Sequence, residues 1–255
     1  MGRERLEIEF GRYSEWLAEA IAELGIDPIP ASCRGTGNPA LFERMADGIR
    51  ADSKTRVLDL GCGLGGPGAW LAGSRGCRVV GVDVMEAGVR GLKRLFPDAC
   101  AVVASLRSLP FPDGNFDGAW ALGVIETITD KATALDEVAR VLVPDGRFAV
   151  FSFVASQPML FDVPIADRFE QPEVVLATLA SAGFTTIAAG PVAGLPQPPT
   201  EWTDPSDKAR AEVHRRHRGD PKLDDVDAEI AKIRKLVRSK EIEAWQFVLE
   251  KEGSR

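Results

Sequence analysis

The stretch VLDLGCGLGGPGAWLA, Val57 to Ala72, decides how the rest of the chain is read. Val57 to Leu60 is a short apolar run of the kind a buried strand carries, and it feeds directly into glycines. Those glycines fall into two overlapping registers. Gly61, Gly63 and Gly66 make a G-x-G-x-x-G loop. Gly61, Gly63 and Gly65, with Asp59 just ahead of them, make a second. Either register needs a strand, a tight turn and a helix start, where free N–H groups and positive partial charge face a ligand. The fold class follows from both registers, and the cofactor from neither alone.

Working outward, short β-branched runs alternate with helical segments. Strands are expected at 55–60, 78–82, 100–103, 117–122, 147–153 and 184–188, with helices at 66–73, 87–95, 131–141 and 172–182. Such alternation predicts an α/β fold with a parallel, doubly wound sheet covered on both faces. Ahead of it, Leu17, Ile21 and Leu24 recur at helical spacing, so 13–25 is an amphipathic helix ended by Gly25 and Pro28. The run PIPASCRGTGNP is a loop leading to a second helix near 40–50. After residue 190, GPVAGLPQPPTEWTDPSD is too proline-rich to be regular. Helical stretches follow at 206–218 and 224–240, the second with an apolar stripe of Val226, Ile230, Ile233 and Val237. The final EAWQFVLEKE alternates Trp245, Phe247 and Leu249 with polar residues, which suits a strand beside the sheet.

Composition bounds the function. The chain has 255 residues, 31 basic against 38 acidic side chains and a formal net charge of −7. A protein gripping nucleic acid through its backbone needs the opposite balance, so no nucleic-acid partner is expected. No apolar run is long and clean enough to span a bilayer, the amino terminus is too charged for a signal peptide, and no membrane partner is expected. Cys33, Cys62, Cys77 and Cys100 stand apart with no metal-ligand spacing, so free thiols in a cytoplasmic setting are expected. The remaining partners are a small-molecule substrate and, through the 226–237 stripe, a second copy of the chain in a homodimer.

The cofactor is decided further along. Asp83 ends VVGVD twenty positions past Gly63, where a carboxylate can accept both ribose hydroxyls of an adenosine-containing ligand or cap the helix that follows. Then VVASLRSLPFPDGNFDGAWALGVIETITD and DEVARVLVPDGRFAVFSF carry Leu109-Pro110-Phe111, Phe116-Asp117, Arg140-Val141-Leu142 and Pro144-Asp145-Gly146. With LDLGCGLGG and VVGVD, residues 55–153 resemble the class I S-adenosylmethionine-dependent methyltransferases, in particular the small-molecule group of quinone biosynthesis.

That resemblance implies a seven-stranded Rossmann-like sheet of order 3-2-1-4-5-7-6 with the last strand antiparallel, preceded by N-terminal helices and interrupted by a helical insertion. It implies S-adenosylmethionine as cofactor. Asp59, Gly61, Cys62, Gly63 and Gly65 would line the methionine end, Asp83 and Val84 the ribose, and Met85 one adenine face. Ser105 and Leu106 would meet the adenine edge, with Ser105 replacing the acid usual in the family, and Leu122 would close the site beside the methyl group. Glu126-Thr127 stands where many relatives read Glu-His, so a hydroxyl replaces a potential base.

Other candidates come from position and residue type. His214 and His217 are the only histidines and share a helix face, so one of them could serve as a base toward the acceptor. Arg34 sits in a glycine-rich loop able to close on the cofactor carboxylate, and Tyr13 and Trp16 lie on the first helix as an aromatic lid. The expected organisation is a lid at 1–50 and a methyltransferase domain at 51–255, with a cap insertion at about 190–240. The expected function is methyl transfer to oxygen, nitrogen or carbon of a small acceptor. Its alternatives are a non-methylating, pericyclase-like enzyme and an NAD(P) oxidoreductase.

Overall fold

The structure is a computed structural model and describes residues 11–33, 37–158 and 169–253. Strand β1 (Arg56–Leu60) pairs in parallel with β2 (Arg78–Asp83) on one side and β4 (Phe116–Leu122) on the other. Beyond them, β3 (Cys100–Val103) continues past β2 and β5 (Leu142–Ala155) past β4, both parallel. Strand β7 (Ile242–Lys251) runs antiparallel to β5 and to β6 (Phe184–Pro191). The seven-stranded order is β3-β2-β1-β4-β5-β7-β6, as the resemblance implies.

The last strand takes the place the resemblance implies rather than the one beside the sheet that its alternation alone suggests. It lies between β5 and β6, hydrogen-bonded on both sides, and β6 is the edge, with Thr185 to Ala189 exposed. The alternation of β7 reflects cover rather than an edge position. Phe247 and Leu249 enter the main core, while Val248 meets the end of a helix at Gly48 on the other face.

Two helical layers cover the sheet. On one face lie α6 (Lys131–Val141) and α7 (Pro172–Ser181), whose Leu135, Val138, Val175 and Leu179 pack on Leu58, Leu60, Val82 and Phe148. On the other lie α3 (Pro39–Gly48) and α4 (Gly66–Arg75), with Met45 and Leu71 against Val57 and Trp120. Alternate residues of β1 thus serve opposite cores, as a strand buried on both faces requires. Helix α5 (Glu86–Leu95) links β2 to β3.

A third cluster stands over one end of the sheet. Helix α1 (Arg12–Leu24) ends at Gly25 in the left-handed conformation, where the sequence predicts it. Its Tyr13, Trp16, Leu17 and Ile21 pack with Ala209 and Val213 of α8 (Thr200–Arg216), with Leu223 and Val226 of α9 (Pro221–Arg238), and with Leu64 of the glycine loop. The apolar stripe of α9 is spent inside the chain: Ile230 joins this cluster and Ile233 a neighbouring one, while Val237 is exposed and Leu236 is buried in its stead.

Two segments expected to be irregular are partly helical. Within PIPASCRGTGNP, Asp27 accepts from Ile29 N at 3.0 Å and caps the short α2 (Pro28–Ala31), with Pro28 at the position where a missing N–H costs nothing. In the proline-rich segment, α8 starts at Thr200, well before 206, and contains Pro205. A proline in the second helical turn forfeits one backbone bond, and packing of Trp202 on Phe42, with ring centroids 5.7 Å apart, holds that turn in place.

Candidate active site

The sheet reverses direction between β1 and β4, and in an open α/β sheet the crevice at the carboxyl ends of the strands flanking that point is the binding position. The glycine loop fills it. Gly61, Gly63 and Gly65 all take positive φ, at 67°, 51° and 85°, which only glycine adopts without strain. A β-carbon on Gly61 would lie 2.4 Å from Val124, whereas one on Gly63 would meet nothing within 4 Å. Gly66 is required for another reason: its β-carbon would lie 2.5 Å from Ile29 O, so it admits α2 rather than a ligand. The register used by the loop conformation is therefore 61-63-65.

Asp83 ties the loop to β2. Its carboxylate accepts from Gly63 N at 2.9 Å and from Met85 N at 2.8 Å. It does not cap α5, whose N-cap is Met85 with no side-chain bond. Val84 is half-buried and Met85 buried beside it. The β3 side closes in next: Ala104 N donates to Asp83 O, Ser105 Oγ accepts from Arg107 N at 3.2 Å, and Leu106 packs on the main core. Leu122 ends β4, and Gly123 N donates to Phe151 O.

Asp59 lies beneath the loop, 4% exposed, and accepts from the Trp120 indole at 2.8 Å. Burial pushes its carboxyl up to about 7, the Trp120 bond opposes that rise, and the charge of Asp83 adds to it. Cys62 is buried with its thiol pushed up, first by burial and then by Asp59 and Asp83, which suits a packing residue rather than a nucleophile.

Glu126 lies in a 3-10 turn, Ile125–Thr127, after β4. It is buried, accepts from Ser152 Oγ at 2.8 Å, and is raised chiefly by burial against the bonds from its own and the Phe153 backbone. Thr127 Oγ1 donates to Val124 O at 2.7 Å. The histidines stand elsewhere. His217 stacks on Trp16 with ring centroids 4.0 Å apart and planes 11° off parallel, and His214 pairs with Asp227 at 3.4 Å. Both contacts join α8 to the other lid helices. Tyr13 is buried in the lid cluster. Arg34 lies outside the described residues; Cys33, just before it, lies against Gly66.

Three members of this site escape sequence reasoning: Trp120, Val124 and Leu64. Each acts through a contact made by folding, and a Trp in a strand or a Leu in a loop carries no local signal of it.

A family model described as a methyltransferase domain matches residues 58–150. The O-methyltransferase resE of Aspergillus sclerotiorum is 33% identical over 130 residues, 49% of this chain and 49% of that protein. The 2-methyl-6-phytyl-1,4-hydroquinone methyltransferase of Synechocystis is 37% identical over 99 residues, 38% of this chain and 31% of that one. Residues 58–150 carry a methyltransferase domain, and over them the chain is similar to class I S-adenosylmethionine-dependent methyltransferases. The aligned part of the chain spans from 31% to about half of the curated relatives' length. Among solved structures, the [4+2]-cyclase SpnF shares the fold with a TM-score of 0.73 at 20% identity, over 97% of each chain.

Proposed function

We propose that this methyltransferase carries a methyl group from S-adenosylmethionine to a small organic acceptor. The observation that carries the reading is the glycine loop at the switch point, with Gly63 facing open space and Asp83 anchored beside it. The donor set fits the cofactor. Backbone glycines accommodate the methionine end, Asp83 the ribose, Val84 and Met85 with Ser105 and Leu106 the adenine, and the acidic floor at Asp59 suits an ammonium. When bound, S-adenosylmethionine supplies a sulfonium methyl already activated for attack.

What the chain adds is placement and exclusion of water. The lid of α1, α8 and α9 stands on Leu64, and good alignment alone is worth ~7–11 kcal/mol. A base matters only where the acceptor must lose a proton, and then adds about 10²–10⁴-fold. Of the four candidate proton carriers, Glu126 lies at the carboxyl ends of β4 and β5, and its bonds to Ser152 and Phe153 support a role in holding the loop after β4. The local bond of Thr127 and the lid contacts of the two histidines likewise support positioning roles. Arg34 remains our candidate for the donor carboxylate. The four free thiols and the absence, among described residues, of any helix able to cross a membrane fit a cytoplasmic small-molecule enzyme.

Calorimetric titration tests the cofactor. S-adenosylhomocysteine should bind at micromolar concentration and NAD⁺ and NADP⁺ should not; the reverse would withdraw the reading in favour of an oxidoreductase. The whole-chain likeness to a cyclase favours one second reading, a donor-bound enzyme that transfers no methyl. Release of S-adenosylhomocysteine from labelled donor, dependent on an added acceptor, excludes it.

A further inference from the structure

The glycine loop is gripped from two sides, and the grips differ in kind. From the β2 side they are hydrogen bonds: Gly61 N and Cys62 N donate to Val82 O at 2.7 and 3.0 Å, and Gly63 N donates to Asp83. From the β4 side the contact is apolar. A β-carbon on Gly61 would lie 2.4 and 2.9 Å from the two methyl groups of Val124, so the valine covers that face of the glycine. A β-branched side chain has little rotamer freedom, so the direction of Val124 is set by its backbone.

The turn behind it fixes that backbone. Thr127 donates to Val124 O through N at 2.9 Å and through Oγ1 at 2.7 Å, which closes the 3-10 turn Ile125–Thr127. Glu126, in the middle of the turn and buried, ties it to β5. Its carboxylate accepts from Ser152 Oγ at 2.8 Å and from the Phe153 backbone, and Lys131 supplies a positive charge nearby. Lys131 is itself paired with Glu170 at 3.1 Å, and Glu170 O accepts from Ala155 N at the end of β5. A buried acid met by several donors holds its neighbours in one arrangement.

We propose that Glu126 is a positioning residue for donor binding: by pinning its turn to β5 it keeps Val124 seated on Gly61, and so presets the glycine loop in the shape that takes S-adenosylmethionine. This rests on the donor reading above and adds a remote support to the same site. A loop already held in its binding shape loses less freedom when the ligand arrives, so the support is felt as affinity. Through Val124 the carboxyl ends of β4 and β5 are joined to the loop after β1.

The test is S-adenosylhomocysteine affinity by calorimetry on a double-mutant cycle. Glu126→Ala and Val124→Ala should each weaken binding about tenfold, and the double variant should be little weaker than either, because both cut one line of support. Independent losses would instead multiply to about a hundredfold. Glu126→Gln should restore near-native affinity, which a role for the acid other than holding the turn would not allow. Its amide can donate to Ser152 Oγ, whose hydroxyl then turns to Phe153 O, 3.2 Å away, while the amide oxygen takes the backbone N–H. Should Glu126→Ala fail to fold, Ser152→Ala takes its place in the cycle, with a smaller loss and the same lack of additivity. Native affinity in folded Glu126→Ala or Val124→Ala, losses that multiply, or no rescue by glutamine overturns the proposal. Absence of S-adenosylhomocysteine binding by the native protein would instead sink the donor reading itself.

Discussion

Asp83 makes two backbone bonds from one carboxylate, and both hold segments of the proposed donor site. Asp83→Ala removes them together with the proposed ribose acceptor. Charge-assisted bonds are worth ~1.5–3 kcal/mol each, so S-adenosylhomocysteine affinity should fall at least tenfold by calorimetry while circular dichroism stays native. Asp59 makes the opposite kind of contribution. Its folded carboxyl stands near 7, far above its unfolded value, so the folded state holds an extra proton between those limits. The stability this gives is full below about pH 4 and is lost as pH rises through 7. Asp59→Asn should therefore raise the melting temperature at pH 8 relative to the native protein and bring no comparable gain at pH 5.

Elements explain why neighbouring glycines in one motif answer to different constraints. Gly66 is a seat for α2, and a methyl group there meets the Ile29 carbonyl at 2.5 Å. Gly66→Ala should cost ~1–3 kcal/mol in chemical unfolding as the α2 turn is pushed off. Gly73, seven residues on in the same helix, has open space around it and no positive φ, and Gly73→Ala should gain ~0.5–1 kcal/mol. The lid has its own measure. His217→Ala breaks the stack on Trp16 and should lower stability by ~0.5–1.5 kcal/mol while leaving saturated turnover within about twofold. A hundredfold loss of turnover would return His217 to the role of base.

For the molecule as a whole, donor binding should register as stability. At a hundredfold excess over Kd, S-adenosylhomocysteine should add about 2.7 kcal/mol, seen as a melting shift that NAD⁺ does not produce. The sheet order and the shape of the glycine loop were legible because their signals are local: β-branched runs, spaced glycines and an acid closing VVGVD. The partners of those residues were not. Trp120 stands 61 residues from Asp59, and only strand pairing brings them together. The start of α8 was hidden by prolines that tertiary packing tolerates. The histidines drew notice by chemical type, yet their ring stack and ion pair belong to lid contacts that no spacing rule announces.

The stack of Trp16 on His217 joins the first decile of the chain to the ninth. On a ribosome adding ~5–20 residues per second, the first helix is made early and, resting meanwhile on α5, waits ten seconds or more for α8 and α9. The parallel core of β1 to β4 can be complete in the meantime, with Leu64 already against Gly91 of α5. Each newly made copy thus passes through a stage in which the glycine loop is shaped and α1 is seated, while α8 and α9 are still to be added over them.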